Sequence, residues 1–328
     1  MNYPYKAFFH NLLSHGYHVK EDQLLAKILW SKDTAGKMDD TSPVTGSNTG
    51  LTKRFVRLQK SIVCDLEGPL LSDVFQVNEL LLNGVNLKVK LWPSTNAFRL
   101  MSATANAYKI VFTAVELKMI YVTLSPALIT SHAEILNDRN AHYAFIRNEI
   151  KTISIPSGQR SVNIEDFFLG EVADKVVIGF VSATAYSGDE SKNPYNFKHY
   201  KLSYLDLQVN GVSVKGCPKF PKIKFTTDIS STINECNVVP SYLTLFDSKG
   251  SDLDIDLEDY VNGYFLHVFD TTATDPCSDT NNKTMQQKGN MKLSLQFEED
   301  LSETVMLIVR GSFPSYFEVD SSRNVFPP

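Results

Sequence analysis

Long apolar runs are missing from this chain of 328 residues: no stretch approaches the ~18 uninterrupted apolar residues of a membrane-spanning helix. Met1 to Gly16 lacks the basic segment and apolar run of a secretory leader, so the expectation is a soluble, intracellular protein with no membrane partner. Basic charge is in deficit, with 32 Lys and Arg against 37 Asp and Glu, a net charge of -5 and a pI near 5.8. Proteins that hold phosphate backbones by counterion release need the opposite balance, so specific nucleic-acid binding is not expected. Cysteine is sparse: Cys64, Cys217, Cys236 and Cys277 lie far apart without a CxxC pair, which favours free buried thiols over disulfides or zinc. The sequence also lacks GxxxxGK[ST], GxGxxG and GxSxG. Gly211-Val212-Ser213-Val214-Lys215-Gly216 has its second glycine one residue too late for a nucleophile elbow and suits a strand after a turn.

What remains is an ordinary globular composition, 43% hydrophobic and 11% aromatic, with enough apolar mass for a real core. Phe8, Phe9, Leu12 and Leu13 share one helical face that Gly16 should end, and Leu24, Leu25, Ile28 and Leu29 repeat the pattern. Residues 31–50, rich in Asp, Thr, Ser, Gly and Asn, read as a long surface loop. From residue 51 the period falls to two. Alternation runs through Asn86 to Leu91, Val115 to Tyr121, Leu205 to Val209, Met291 to Phe297 and Val305 to Val309, as half-buried strands require. Asn-Gly occurs at 83–84, 210–211 and 262–263, and two of the three lie between alternating runs, a strong hairpin signal. Ser125-Pro126 should open a helix through Leu136. Many strands, few helices and no internal repeat predict a mainly β fold of antiparallel sandwiches. Pro93-Ser94-Thr95 and the small residues Ser102 to Ala107 place a boundary near 93–107.

The candidate sites weigh lightly. No HxH pair exists, and Gly16 separates His10 and His15 from His18, so solvent-facing histidines are favoured over a metal there. His132, His142 and His199 are scattered, and His267 sits in an aromatic-rich strand with a packing role. Asp252 to Asp259 alternates acids that could ligate calcium, but an EF-hand loop needs glycine and glutamate where Leu257 and Gly263 stand. An acidic loop, or the acidic first turn of a short helix reaching Tyr260, fits better. Lys215, Lys219, Lys222 and Lys224 interleave with Phe220 and Phe225, a pattern that guards strand edges more often than it grips nucleic acid. Catalytic, cofactor-binding and metal-binding residues are therefore expected to be none, with no small-molecule substrate and no enzyme activity. An enzyme would require titratable groups converging in one pocket. A lectin-like or adhesive jelly-roll module would require exposed tryptophans, and the chain has only Trp30 and Trp92.

Several strings resemble a known family: Tyr3 to Ser14 (YPYKAFFHNLLS), Leu80 to Pro93 (LLLNGVNLKVKLWP) with Phe98 to Met101, Asn193 to Tyr200 (NPYNFKHY), Asp259 to Tyr264 (DYVNGY) and Arg323 to Val325. In order and spacing they resemble the major capsid protein of Polinton/Maverick-type elements and adintovirus-like viruses. The resemblance implies a double jelly roll whose chains form homotrimeric, pseudo-hexagonal capsomers that contact neighbouring capsomers, with a place in the virion where assembly is retained. It brings no catalytic residues. In that family a YPY-type string lies well inside the first jelly roll, whereas Tyr3 follows Met1 almost at once. Residues 1–104 are therefore expected to be a partial N-terminal jelly roll with a helical insertion, and 105–328 a complete C-terminal one, as in a chain missing an upstream exon or a decayed or domesticated genomic copy. The loops 31–50, 182–196 and 270–289 would supply tower and neighbour contacts.

Overall fold

The computed structural model describes residues 2–104, 108–214, 217, 219, 238–247, 253–272 and 287–327. The fold is mainly β, with antiparallel ladders throughout. Its strands are β1 (Ala141–Ile155), β2 (Ser161–Ile164), β3 (Glu171–Val172), β4 (Lys175–Ser182), β5 (Leu202–Val209), β6 (Val212–Ser213), β7 (Leu266–Asp270), β8 (Gln287–Lys288), β9 (Met291–Phe297), β10 (Val305–Val319) and β11 (Val325–Phe326).

The pairing is nested. β1 pairs β10, β2 pairs β9, β4 pairs β7, and β5 pairs β6 at the tip. This is one long antiparallel ribbon, turned back at Asn210-Gly211. Both turn residues have positive φ, 52° and 80°, as a type I′ hairpin demands. Lateral pairing of β10 with β4 and of β5 with β9 rolls the ribbon into two sheets, ordered β1-β10-β4-β7 and β2-β9-β5-β6. Eight strands nested and rolled in this way are a jelly roll. β3 and β8 pair separately.

The interior lies between the sheets. Leu293, Leu295 and Phe297 of β9 point inward with Leu205 and Leu207 of β5, while Lys292, Ser294 and Gln296 face out, matching the predicted alternation. Across the gap Phe180 of β4 meets the Phe297 ring edge-on, centroids 5.9 Å apart. The β1-β10-β4-β7 sheet is covered on its outer face as well. There the N-terminal helix α1 (Asn2–Ser14) lays down Tyr5, Phe9 and Leu12, all fully buried, as the Phe8/Phe9/Leu12/Leu13 face predicts. Tyr5 stacks on Tyr186 at 5.9 Å, Phe8 on Tyr195 at 4.4 Å, and Phe9 tilts against Phe197 at 5.5 Å. Polar residues tie the same face: Asp73 accepts from Lys6 Nζ (2.6 Å) and from the Asn148 backbone N–H (3.0 Å), while Asn148 Oδ1 accepts from half-buried Arg310 (2.8 Å) and from Ser312 (2.8 Å).

Two expectations are corrected. The segments at 86–91 and 115–121, predicted as strands, join no ladder, and no strand occurs among the described residues 2–140. Both lack regular secondary structure and are exposed: Leu87, Val89 and Leu91 are 39%, 37% and 63% accessible. Alternation creates an apolar face, but a ladder also needs a neighbouring edge, and among the described residues no strand pairs with them. The segment 31–50 is irregular through Asn48, as the loop reading expects. It is held to the body and leads into a helix, Thr49–Leu58, whose N-cap Asn48 accepts from Leu51 N (3.4 Å). The helix after Ser125-Pro126 forms as expected, over Pro126–Asp138.

Candidate functional site

Asp254 and Asp259 do approach each other, but the cation between them is Lys32, 3.4 Å from Asp254 Oδ1 and 2.5 Å from Asp259 Oδ2. Buried Lys20 donates to the Leu253 carbonyl nearby and lies over the Trp30 ring. Burial disfavours the Lys32 ammonium, yet Asp259 and Asp254 outweigh that and hold its pKa above the usual lysine value. Burial pushes Asp254 up despite its ion pair, so Asp259 is the main counter-ion. Asp256 caps the short helix Leu257–Asn262 by accepting from Asp259 N (2.7 Å), as the acidic-first-turn reading anticipated; Asp252 lies outside the described residues. Because an ammonium fills the place, excess calcium is expected to leave the unfolding midpoint unchanged, and a calcium-dependent rise in calorimetry would return this cluster to metal binding. Lys32→Met should cost about 1–3 kcal/mol, by stranding two half-buried carboxylates.

The acids of the predicted tower loop are engaged too. Asp39 accepts from Asn193 N (2.8 Å), Asn196 Nδ2 (2.9 Å) and Lys198 Nζ (3.1 Å), and Asp33 accepts from Asn193 Nδ2 (2.9 Å) and Arg54 (2.5 Å). The NPYNFKHY string is thus the receptor for the 31–50 loop.

A nucleophile-like pair was missed by sequence reasoning. Ser241 Oγ lies 2.6 Å from His267 Nδ1 and 2.7 Å from Tyr260 Oη, and all three residues are 1% exposed or less. A nucleophile needs a path for substrate, so this geometry cements the helix Val238–Asp247 to β7. Burial lowers the His267 pKa to about 3, in keeping with its predicted packing role. His10 and His15 come together edge-on at 5.8 Å, while His18 sits against Tyr17. Among the described residues no group of three or more His, Cys, Asp or Glu has metal-binding geometry. Cys64 and Cys217 are free and only partly buried, with burial raising Cys217 to about 11; Cys236 and Cys277 lie outside the described residues. Lys219 lies over the Tyr204 ring at 6.0 Å, while Lys215, Lys222, Lys224, Phe220 and Phe225 lie outside the described residues. An open groove of about 510 Å³ runs beside β1, lined by Tyr3, Lys6, Ser72 and Arg147 to Ile150. Its cations are already matched: Lys6 by Asp73, and Arg147 by Glu149 and Glu171.

The surface feature without an internal explanation is apolar. Ile62, Val63 and Leu66, then Leu80 to Trp92, then Tyr108 to Val122, display large side chains to solvent, with Ile120 91% and Trp92 79% exposed. Single exposed apolar residues are ordinary, whereas a succession of this kind marks a surface built for contact.

No known family model matches the chain. A Caenorhabditis elegans relative described as "Uncharacterized protein F54H12.2" is 22% identical over 342 residues, covering 98% of this chain and 74% of its own length. Among solved structures, PBCV-1 VP54 fitted into a reconstruction of the virophage Sputnik overlaps at TM-score 0.37 and 9% identity, over 62% of this chain and 54% of that one. The Sputnik virophage structure overlaps at 0.36 and 8% identity, over 58% and 39%, and the Faustovirus major capsid protein at 0.35 and 6%, over 59% and 36%. The chain spans about half the length of the first of these structures and less of the others. With TM-scores this low, the fold rests on the chain's own strand order. No helix among the described residues is long and apolar enough to cross a membrane.

Proposed function

We propose that this chain is a structural subunit that works by tiling against copies of itself: a jelly-roll major capsid protein of a virus or virus-like transposable element of the Polinton/Maverick kind, assembling as homotrimeric capsomers. The observation that carries the reading is the pairing of a filled jelly roll with the exposed apolar succession at 62–92 and 108–122. A filled sandwich is a stiff wall, and apolar side chains on its flank contribute free energy only once a neighbour covers them. Chemistry has no comparable support: the buried Ser241–His267 pair is sealed and the β1 groove is internally neutralised. Contacts between obligate subunits bury ~2,000 Å² or more, and the described apolar segments offer rows long enough to contribute to such an area.

The test is the mass of the purified full chain in solution, by light scattering after gel filtration and by sedimentation velocity. Trimers, and hexagonal arrays in negative-stain images at higher concentration, are the expected result. A particle that stays monomeric up to its solubility limit would overturn the proposal.

A further inference from the structure

We infer that the segment Ile110 to Leu124 is a self-complementary docking strand, which pairs antiparallel with the same segment of a second copy about a two-fold axis at Leu117. The segment lies in no ladder, bends only at Thr113, and is exposed from Ile110 to Thr123: Phe112 61%, Val115 69%, Leu117 52%, Ile120 91% and Tyr121 79%. Its β-branched and aromatic content suits a strand.

The charges set the register. With Leu117 opposite itself, Glu116 faces Lys118 of the partner copy, and Lys118 faces its Glu116. Opposite charges directly across an antiparallel pair stabilise it, and a two-fold axis supplies the contact twice. The remaining positions match as well. Val115 meets Met119, Thr113 meets Tyr121, Ala114 meets Ile120, and Phe112 meets Val122. The other unpaired alternating segment behaves oppositely. Self-pairing of Asn86 to Leu91 about Val89 would set Lys88 against Lys90 twice, so alternation alone does not create this complementarity. Lys118 is already paired with Glu67 at 2.8 Å, but both side chains are more than 70% exposed. Such a pair yields readily to a competing carboxylate.

The contact goes beyond the capsid reading, because that reading calls for a three-fold contact and this one is two-fold. The experiment uses the full chain and measures self-association by sedimentation velocity for Glu116→Lys, Lys118→Glu, the double exchange, and an equimolar mixture of the two single variants. Each single variant places like charges opposite each other at both sites, and should weaken the two-fold association by about tenfold. The double exchange and the mixture restore opposite charges and should return it to near the wild-type level. Glu67→Gln should leave it unchanged. Leu117→Cys should form a 117–117 disulfide under mild oxidation, since the axis brings the two Cβ atoms within disulfide reach. Single variants that associate like wild type, or a mixture that fails to recover, overturn the inference. A trimer indifferent to both single charge variants would do so while leaving the capsid reading standing, and a charge-dependent dimer without trimers would do the reverse.

Discussion

Gly179→Val should destabilise the jelly roll by about 3 kcal/mol or more. Gly179 lies in the middle of β4, opposite Leu266 on one side and Ile308 on the other. A Cβ built there would stand 2.5 Å from Phe197 Cδ1 and 2.6 Å from Leu266 Cδ2, well inside van der Waals contact. Neither neighbour has room to retreat. Phe197 is fully buried among Tyr5, Phe8 and Phe9, and its backbone is fixed by Phe197 N to Gly263 O (2.9 Å) and Phe265 N to Phe197 O (3.2 Å). Glycine in a strand interior often marks this kind of close approach. Gly179→Ala should cost about 1–3 kcal/mol, and adding Phe197→Leu should recover part of that loss by making room for the methyl. Urea unfolding of the four proteins measures the cycle. Strict additivity of the two changes would mean the ring does not press on β4.

Acid should weaken the fold before most carboxylates are neutralised. Burial holds His267 at about 3, against an ordinary imidazole value near 6.5. Between those values the unfolded chain binds a proton that the folded chain refuses, so stability rises with pH in this window and is lost as pH falls from about 6.5. The slope is about 1.4 kcal/mol per pH unit for one histidine. His199, lowered to about 4 by burial and by Lys201, adds in the same direction. Around His267 stand Ser241 Oγ and the Tyr260 and Phe265 rings, none of which carries charge at these pH values. His267→Gln keeps a side chain able to bond Ser241 and removes the titration. Its unfolding free energy, measured from pH 7 to pH 5, should therefore fall less steeply, by roughly one proton's worth. An unchanged slope would place the acid sensitivity elsewhere.

Some of this architecture is written locally. β5, β9 and the Asn210-Gly211 turn follow from alternation and from two residues that tolerate positive φ, because each of these strands has one face inside the sandwich and one in water. The N-terminal helix follows from its Phe8/Phe9/Leu12/Leu13 face, and the Asp256 cap from an acidic first turn. β4 is different. Lys175–Ser182 is apolar at nearly every position because its outer face is covered too, by Phe197 with the helix α1 aromatics packed over it, so no period-two signal survives. β1 hides for a related reason: Asn148 and Arg147 sit within it as partners of Asp73, Arg310 and Glu171.

Distance in sequence decided the rest. Lys32 meets Asp254 and Asp259 across more than two hundred residues, Asp39 meets Asn196 across 157, and Ser241 meets His267 on separate elements. Residue type alone suggested an acidic loop or helix turn at the first place and a surface loop at the second, because it cannot tell which cation or amide the fold will bring alongside. The converse holds at 86–91 and 115–121, where the sequence wrote two strand faces and the tertiary structure supplied no edge beside them. Side-chain periodicity is a property of the chain, whereas a ladder is a property of two chains of backbone brought together. Only the folded arrangement determines whether the second is there.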